Sequence, residues 1–349
     1  MIFYALAFSL PFLFYPLRDR SRLLYVFLLT SGWVIFAALR LDIGGSDLFK
    51  YSEFYTSIDP KHFPASNNWE PLFKGLAFVT RIMGLSFNGF LGIVAIIGIL
   101  PAVYVIDKRS GDTPIGLFVY GIQWMLYGTF VILRQGLALG MAFLALDALL
   151  DRKWLRFALA TLFAIGFHYS ALCILLLPLF TKEMGPKLRT GLWIAVGIAF
   201  IAIEAGNTSN FFGIFHDQFF YRLSEYLLQG YREPLNLLNV VEVLGLTFLI
   251  QRYAPRSPAL LRNGYFLYML FIVLSLEHSV IQRMGRYEEI CMALLIPAIV
   301  NPKEDRSRER MLVSMVLVLY FLAKIGRWIL MNADGPGGFL PYRTILWRG

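Results

Sequence analysis

The chain has 349 residues, of which 58% are apolar and only 16% charged, and its mean hydropathy is +0.61. Soluble domains carry about 25% charged residues, so this composition excludes a water-soluble globular protein and indicates an integral membrane protein. The net charge of +9 is accounted for by loop topology, and nucleic acid is not expected as a partner.

The opening stretch MIFYALAFSLPFLFYPL has no basic residue before it and no small-residue cleavage site after it, so it reads as a first membrane helix and not as a signal peptide. Apolar segments then follow at 2–17, 23–39, 86–106, 114–133, 135–150, 154–181, 190–205, 237–253, 263–281, 287–300 and 311–330, with a weaker amphipathic segment at 71–83. Most run about 16–20 residues, the length of membrane helices and not of barrel strands. The longer stretch 154–181 has GFH near its middle and reads as two short helices meeting at His168, with both ends returning to one side. The expected fold is all-α and polytopic, a single transmembrane domain over 1–349 with about 11–13 membrane helices, short or re-entrant ones included. Outer loops at 40–70 and 206–236 are expected to cover a cavity.

Lys and Arg set the orientation. With both termini outside, the inward loops 18–22, 107–112, 151–156, 182–189, 252–262 and 303–310 hold three, two, three, three, three and four basic residues. That is 18 of the 32, alongside 8 acids, which agrees with the positive-inside rule. Cys173 and Cys291 lie inside apolar runs and read as packing residues. His62, His216 and His278 show no ligand spacing, so no metal site is assigned.

The remaining charges do not fit a plain bundle. Arg134, in VILRQGLALG, falls where two spans adjoin with no polar linker. An arginine at the centre of an isolated membrane helix costs about 2.5–3.5 kcal/mol on insertion scales. RMGRYEE puts Arg283, Arg286 and Tyr287 within one helical turn, at spacings that can share a face. RLDIGGSDLFKY opens the first outer loop with Arg40 and Asp47, NNWEP closes it with Glu70, and the second loop adds Arg222 and Arg232. Plainer readings stand beside these: Arg40 as a helix-end anchor, Arg222 and Arg232 as solvated loop residues, His168 as a packing residue, Glu288 and Glu289 as partners for nearby arginines. Several arginines converging on one membrane face with few carboxylates imply an anionic ligand, since guanidinium groups bind phosphate through paired, charge-assisted hydrogen bonds.

At these residues the sequence resembles the EpsG-like, Wzy-type bacterial polysaccharide polymerases. RLDIGGSDLFKYSEFY is similar to that family's arginine, glycine-aspartate and tyrosine pattern, with Gly45-Ser46-Asp47 where the family often has Gly-Thr-Asp. NNWEPLFKGL resembles its Glu-containing segment, and the stretch from LRQGLALG through GFHYS its Arg-Gln helix and Phe-His-x-Ser hairpin. RMGRY and FLPYR resemble its late arginine-tyrosine motif and Pro-Tyr tail, so the likeness runs in order over roughly residues 1–345.

The resemblance implies a GT-C-like membrane glycosyltransferase. It would join undecaprenyl-diphosphate-linked oligosaccharide repeat units at the outer face of the bacterial inner membrane, without metal, nucleotide sugar or other cofactor. Membrane lipids, a flippase and chain-length regulators are the implied partners. In that reading Arg134, Arg283, Arg286 and Arg40 bind the diphosphate, and Asp47, Glu70 or His168 takes the acceptor proton, the carboxylates ranking first. Gln135, Tyr51, Tyr287, Arg222 and Arg232 contact substrate, and Tyr55 and Trp69 are further candidates for stacking on sugar. An O-antigen ligase-type transferase shares nearly all of this chemistry. A lipid-linked sugar flippase would need its cations in a cavity open to both faces.

Overall fold

A computed structural model of the chain describes residues 1–64, 69–204, 237–275, 279–300, 307–335 and 337–347. Arg222, Arg232, His216 and His278, and with them the expected loop 206–236, lie outside the described residues. Among the described residues the regular elements are helical, and an isolated antiparallel bridge joins Arg40 to Thr344.

The chain divides into two compact units, Met1–Leu172 with Ile296–Gly349, and Cys173–Leu295. The first begins with α1 (Ile2–Leu13), α2 (Tyr15–Arg18), α3 (Arg22–Ala38), α4 (Gly45–Ser57), α5 (Pro71–Ile82) and α6 (Phe87–Arg109). Next, α7 (Thr113–Tyr120) runs through a π-helical turn at Gly121–Met125 into α8 (Leu126–Phe130), followed by α9 (Leu133–Leu150) and α10 (Trp154–Phe167). The second unit carries α11 (Pro186–Glu204), α12 (Leu237–Tyr253), α13 (Ala259–Leu274) and α14 (Ser279–Glu289). After α15 (Met292–Val300), α16 (Arg308–Met331) belongs to the first unit again.

Among the described residues α6, α9 and α16 are long and apolar enough to cross a membrane, and Ile2–Arg18, α3, α10, Tyr169–Phe180 and α13 are shorter apolar helices. The protein is thus a helical membrane protein. In α9, 72% of the most apolar window is buried, against 22% in α16. The exposed Met311, Leu312, Met315, Leu319 and Leu322 of α16 therefore form a face suited to hydrocarbon.

Local chemistry sets the helix ends. Ser21 and Ser86 accept backbone N–H bonds from Leu24 and Gly89 at the starts of α3 and α6, and Asp112 does the same for Ile115 ahead of Pro114 in α7. The expected break at His168 is present: its backbone is extended, at φ −158° and ψ 120°, and ends α10. Beyond it, Tyr169–Phe180 is a 3₁₀ helix and not a second α-helix.

Two elements differ from the sequence expectation. The stretch 40–70 is not all loop, because Leu48, Tyr51, Tyr55 and Ile58 recur every three or four residues and bury one face of α4. The gap between the apolar runs 263–281 and 287–300, which as a break between two spans leads one to expect a short turn near 283, is not a turn either. Arg283 and Arg286 lie inside α14, an amphipathic helix in which polar residues three and four apart support the helix, and the chain turns at Ile290–Cys291 instead.

Glycines bring α6, α8 and α9 together. A Cβ on Gly136 would lie 2.2 Å from the Gly128 carbonyl oxygen, and one on Gly140 would lie 2.6 Å from that of Ile97. The G-x-x-x-G spacing of Gly136 and Gly140 is the small-residue pattern that lets membrane helices approach backbone to backbone.

The first unit consequently has two distinct ends. At one, three of the loops expected to face inward are locked by ion pairs. Arg18 bonds Asp107 at 2.7 Å and Arg22 closes on the same carboxylate. Lys108 and Arg109 hold Asp147 at 2.9 and 2.6 Å, and Arg109 and Lys153 both reach Asp151. The other end gathers the close of α3, the starts of α4, α5, α6 and α9, the end of α10, and the chain after α16.

Candidate active site

At that second end Glu70 stands immediately before α5, where Pro71 occupies the first helical position. Its side chain makes no capping bond and turns inward, leaving 2% of it exposed. One carboxylate oxygen accepts from Arg134 Nη1 at 2.6 Å, and the other lies 2.8 Å from His168 Nδ1. Arg134 is delivered by the tight turn between α8 and α9, and His168 by the end of α10. Three residues separated by 64 and 98 positions in the chain thus meet at one buried carboxylate.

Electrostatics fix the state of Glu70. Burial pushes its carboxyl up, but the His168 hydrogen bond and the adjacent Arg134 charge outweigh burial and hold its pKa down at about 2. An ionised carboxylate only accepts hydrogen bonds, so His168 Nδ1 must carry the hydrogen of this contact. Nε2 is then the ring nitrogen that carries the lone pair. The His168 side chain is 20% exposed and that of Arg134 is 21% exposed, so both can meet a ligand while Glu70 is covered.

An aromatic wall backs the cluster. The Arg134 guanidinium lies 5.4 Å from the Trp69 ring centre. Trp69 packs on Phe54 at 4.4 Å, Tyr51 at 5.3 Å and Phe73 at 5.4 Å. Tyr51 is buried near Arg134; burial pushes its phenol up, against the pull of the guanidinium. Gln135 follows Arg134 in the first turn of α9 and is 1% exposed.

The other sequence candidates fall elsewhere. Asp47, in the first turn of α4, pairs with Lys50 at 3.1 Å and keeps 42% of its side chain exposed. Arg40 is 1% exposed; it donates to the carbonyls of Ile43, at 2.8 Å, and Ala37, and lies 4.4 Å from the Phe130 ring centre. Those contacts place it in a clamp at the end of α3, with no surface open to a ligand in this structure. Tyr55 is fully buried and donates to the Leu85 carbonyl at 2.8 Å, so it offers no stacking face.

In the second unit Arg283 is exposed on α14, and Arg286 lies 3.6 Å from Glu289, which accepts from the Tyr268 hydroxyl at 3.0 Å. Tyr287 is 0% exposed, so its ring is a packing element and not a platform for sugar.

Both arginines have a carboxylate: Arg134 pairs with Glu70, which the sequence reading did not anticipate, and Arg286 with Glu289, the plainer reading given above. A cation held among apolar helices is strongly destabilising without a partner. Sequence reasoning also passed over the glycines that seat Arg134, although the G-x-x-x-G spacing directly after it was a usable signal. Among the described residues no group of three or more His, Cys, Asp or Glu could hold a metal ion.

No curated protein and no solved structure matches the chain. The family model described as the EpsG family matches residues 3–344, nearly the whole chain, and the protein belongs to the EpsG family, membrane proteins of polysaccharide biosynthesis.

Proposed function

We propose that this protein is a polysaccharide polymerase, a membrane glycosyltransferase that joins undecaprenyl-diphosphate-linked oligosaccharide repeat units at the outer face of the bacterial inner membrane. The observation that carries the reading is the bridge made by Glu70 between Arg134 and His168, at 2.6 and 2.8 Å. It sets a guanidinium and an imidazole side by side, which supports phosphate binding by the first and proton transfer by the second. Membership of the EpsG family supports the substrate class, and the uneven distribution of Lys and Arg supports the outer placement.

In the proposed step the bond between the sugar anomeric carbon and the lipid diphosphate breaks, and its electron pair leaves with the diphosphate oxygen. A new bond forms from that carbon to a hydroxyl oxygen of the acceptor repeat unit, whose proton passes to His168 Nε2. Arg134 meets the charge growing on the diphosphate. Glu70 is a positioning residue. A carboxylate held at about pKa 2 is a weak base, so it orients His168 through Nδ1 and steadies Arg134 without taking the proton itself. Asp47, exposed in the first turn of α4, contacts the acceptor sugars, and the buried Gln135 packs behind Arg134.

The test is chain assembly by the purified full-length protein on a synthetic lipid-diphosphate-linked repeat unit. Arg134→Ala should lower the rate on the order of 100-fold or more, by analogy with loss of an oxyanion donor. His168→Ala should lower it by roughly 10²–10⁴-fold, the range for a positioned base. In cells both variants should leave single repeat units on their carrier. Full-length polymer made at the normal rate by either properly inserted variant would exclude the assignment.

A further inference from the structure

The chain after α16 carries none of the residues proposed to act on substrate, yet it is fixed to the first outer segment at many points. The Gly337 carbonyl accepts the N–H groups of both Gly44 and Gly45, each at 3.0 Å. Farther on, Leu41 N–H donates to Arg343 at 3.0 Å and Ile345 N–H to Leu39 at 2.9 Å, on either side of the Arg40–Thr344 bridge. The Tyr342 hydroxyl donates to the Phe36 carbonyl at 2.6 Å while its ring stacks on Phe36 at 4.8 Å. From α1, Tyr4 reaches the Phe339 carbonyl at 2.7 Å.

Three backbone segments are layered at this place. Gly337, at φ +77°, is so close to Gly45 that a Cβ would fall 2.6–2.9 Å from its backbone atoms. Gly44, at φ +150°, presses on the far side, where a Cβ would fall 2.2 Å from the Phe130 carbonyl oxygen. Such spacing admits only glycine at both positions. The two layers beyond Gly337 lead directly to the site. Gly45 opens α4, which carries Asp47 and Tyr51, and Phe130 ends α8 just before the turn that delivers Arg134.

We propose that the segment 337–345 is a positioning element of the catalytic site, and that Gly337 sets the register of the α4 start against the turn before Arg134. The claim rests on the polymerase reading for its functional consequence, but the contact itself does not. A displaced α4 start would misplace Tyr51 against Arg134. Displacements of about 1 Å remote from the reacting atoms can lower turnover by up to roughly 100-fold.

The experiment compares full-length wild type, Gly337→Ala and Tyr342→Phe by hydrogen–deuterium exchange and by turnover on the synthetic lipid-linked repeat unit. Gly337→Ala should speed exchange over 41–51 and 131–136. It should lower kcat, taken per folded molecule, roughly 10–100-fold with KM near the wild-type value. Tyr342→Phe adds no atom and keeps the ring stack, so it folds. It should speed exchange over 36–45 and lower kcat a few-fold, and it decides the question alone if Gly337→Ala does not fold.

Exchange over 36–51 and 131–136 unchanged in the folded variants would overturn the proposal whatever reaction the protein performs. So would faster exchange with unchanged kcat, or a loss of total activity no larger than the loss of folded protein. Failure of the polymerase reading is distinct, because it would show in Arg134→Ala.

Discussion

Glu70 is 2% exposed and still ionised, because Arg134 and His168 together outweigh the penalty of its burial. A carboxyl held in the fold at about 2, against an ordinary 4.5, favours the folded state whenever it is ionised. The stabilisation is therefore fully present above about pH 4.5 and is lost as pH falls toward 2. The full depression is worth about 3 kcal/mol as an order of magnitude. Glu70→Gln should accordingly be less stable than wild type at neutral pH, and the gap should shrink as the medium is acidified through that window. Thermal unfolding in detergent at a series of pH values measures it, and a gap independent of pH would show that the carboxylate charge is not what joins the three residues. The same variant should lower turnover at neutral pH by roughly ten-fold or more, since Gln keeps an acceptor for His168 Nδ1 but removes the charge that steadies Arg134.

Helix packing decides where Arg134 points. Gly136→Ala would drive a Cβ to 2.2 Å from the Gly128 carbonyl oxygen and force α8 and α9 apart two residues from Arg134. Overpacking of this kind destabilises by about 1–3 kcal/mol, so the variant should unfold at lower temperature and turn over more slowly. Gly75→Ala in α5 meets nothing within 4 Å and should instead stabilise, by about 0.5–1 kcal/mol, because alanine is the better helix former. Opposite signs for the two changes in one thermal-unfolding series would separate packing from propensity. The sequence is legible at this scale where periodicity and charge speak. Apolar runs give the spans α6, α9 and α16, and the break at His168 follows from GFH, whereas the Lys and Arg counts speak to orientation and not to the ion pairs at Asp107, Asp147 and Asp151. It is illegible where two distant segments choose each other. Nothing in NNWEP or LRQG says that Glu70 will neutralise Arg134 across 64 residues. Nothing in GPGGFLPYR says that Gly337 will seat against Gly45. The helix α4 was hidden because charged Asp47, Lys50 and Glu53 interleave with its buried aromatic face.

At the scale of the molecule, the first unit separates its two kinds of chemistry by the length of its helices. Ion pairs close one end, and the Arg134–Glu70–His168 cluster occupies the other. If the loops richest in Lys and Arg face the cytosol, the cluster faces outward, the side the proposed reaction requires. This orientation can be tested with an impermeant thiol reagent on intact cells. Cys173 and Cys291 are buried, at 5% and 0% exposure, so the native background is small. Lys61→Cys, exposed between α4 and α5 near the cluster end, should label from outside. Gly111→Cys, exposed between α6 and α7 at the ion-paired end with nothing within 4 Å, should label only after the membrane is opened. The reverse pattern would put His168 and Arg134 in the cytosol, and no polymerisation of outward-delivered units could then occur at this site. Because the two cysteines sit at opposite ends of helices fixed in one unit, they must answer oppositely. Labelling of both from the same side would mean that the packing between α6 and α9, and not merely the orientation, is wrong.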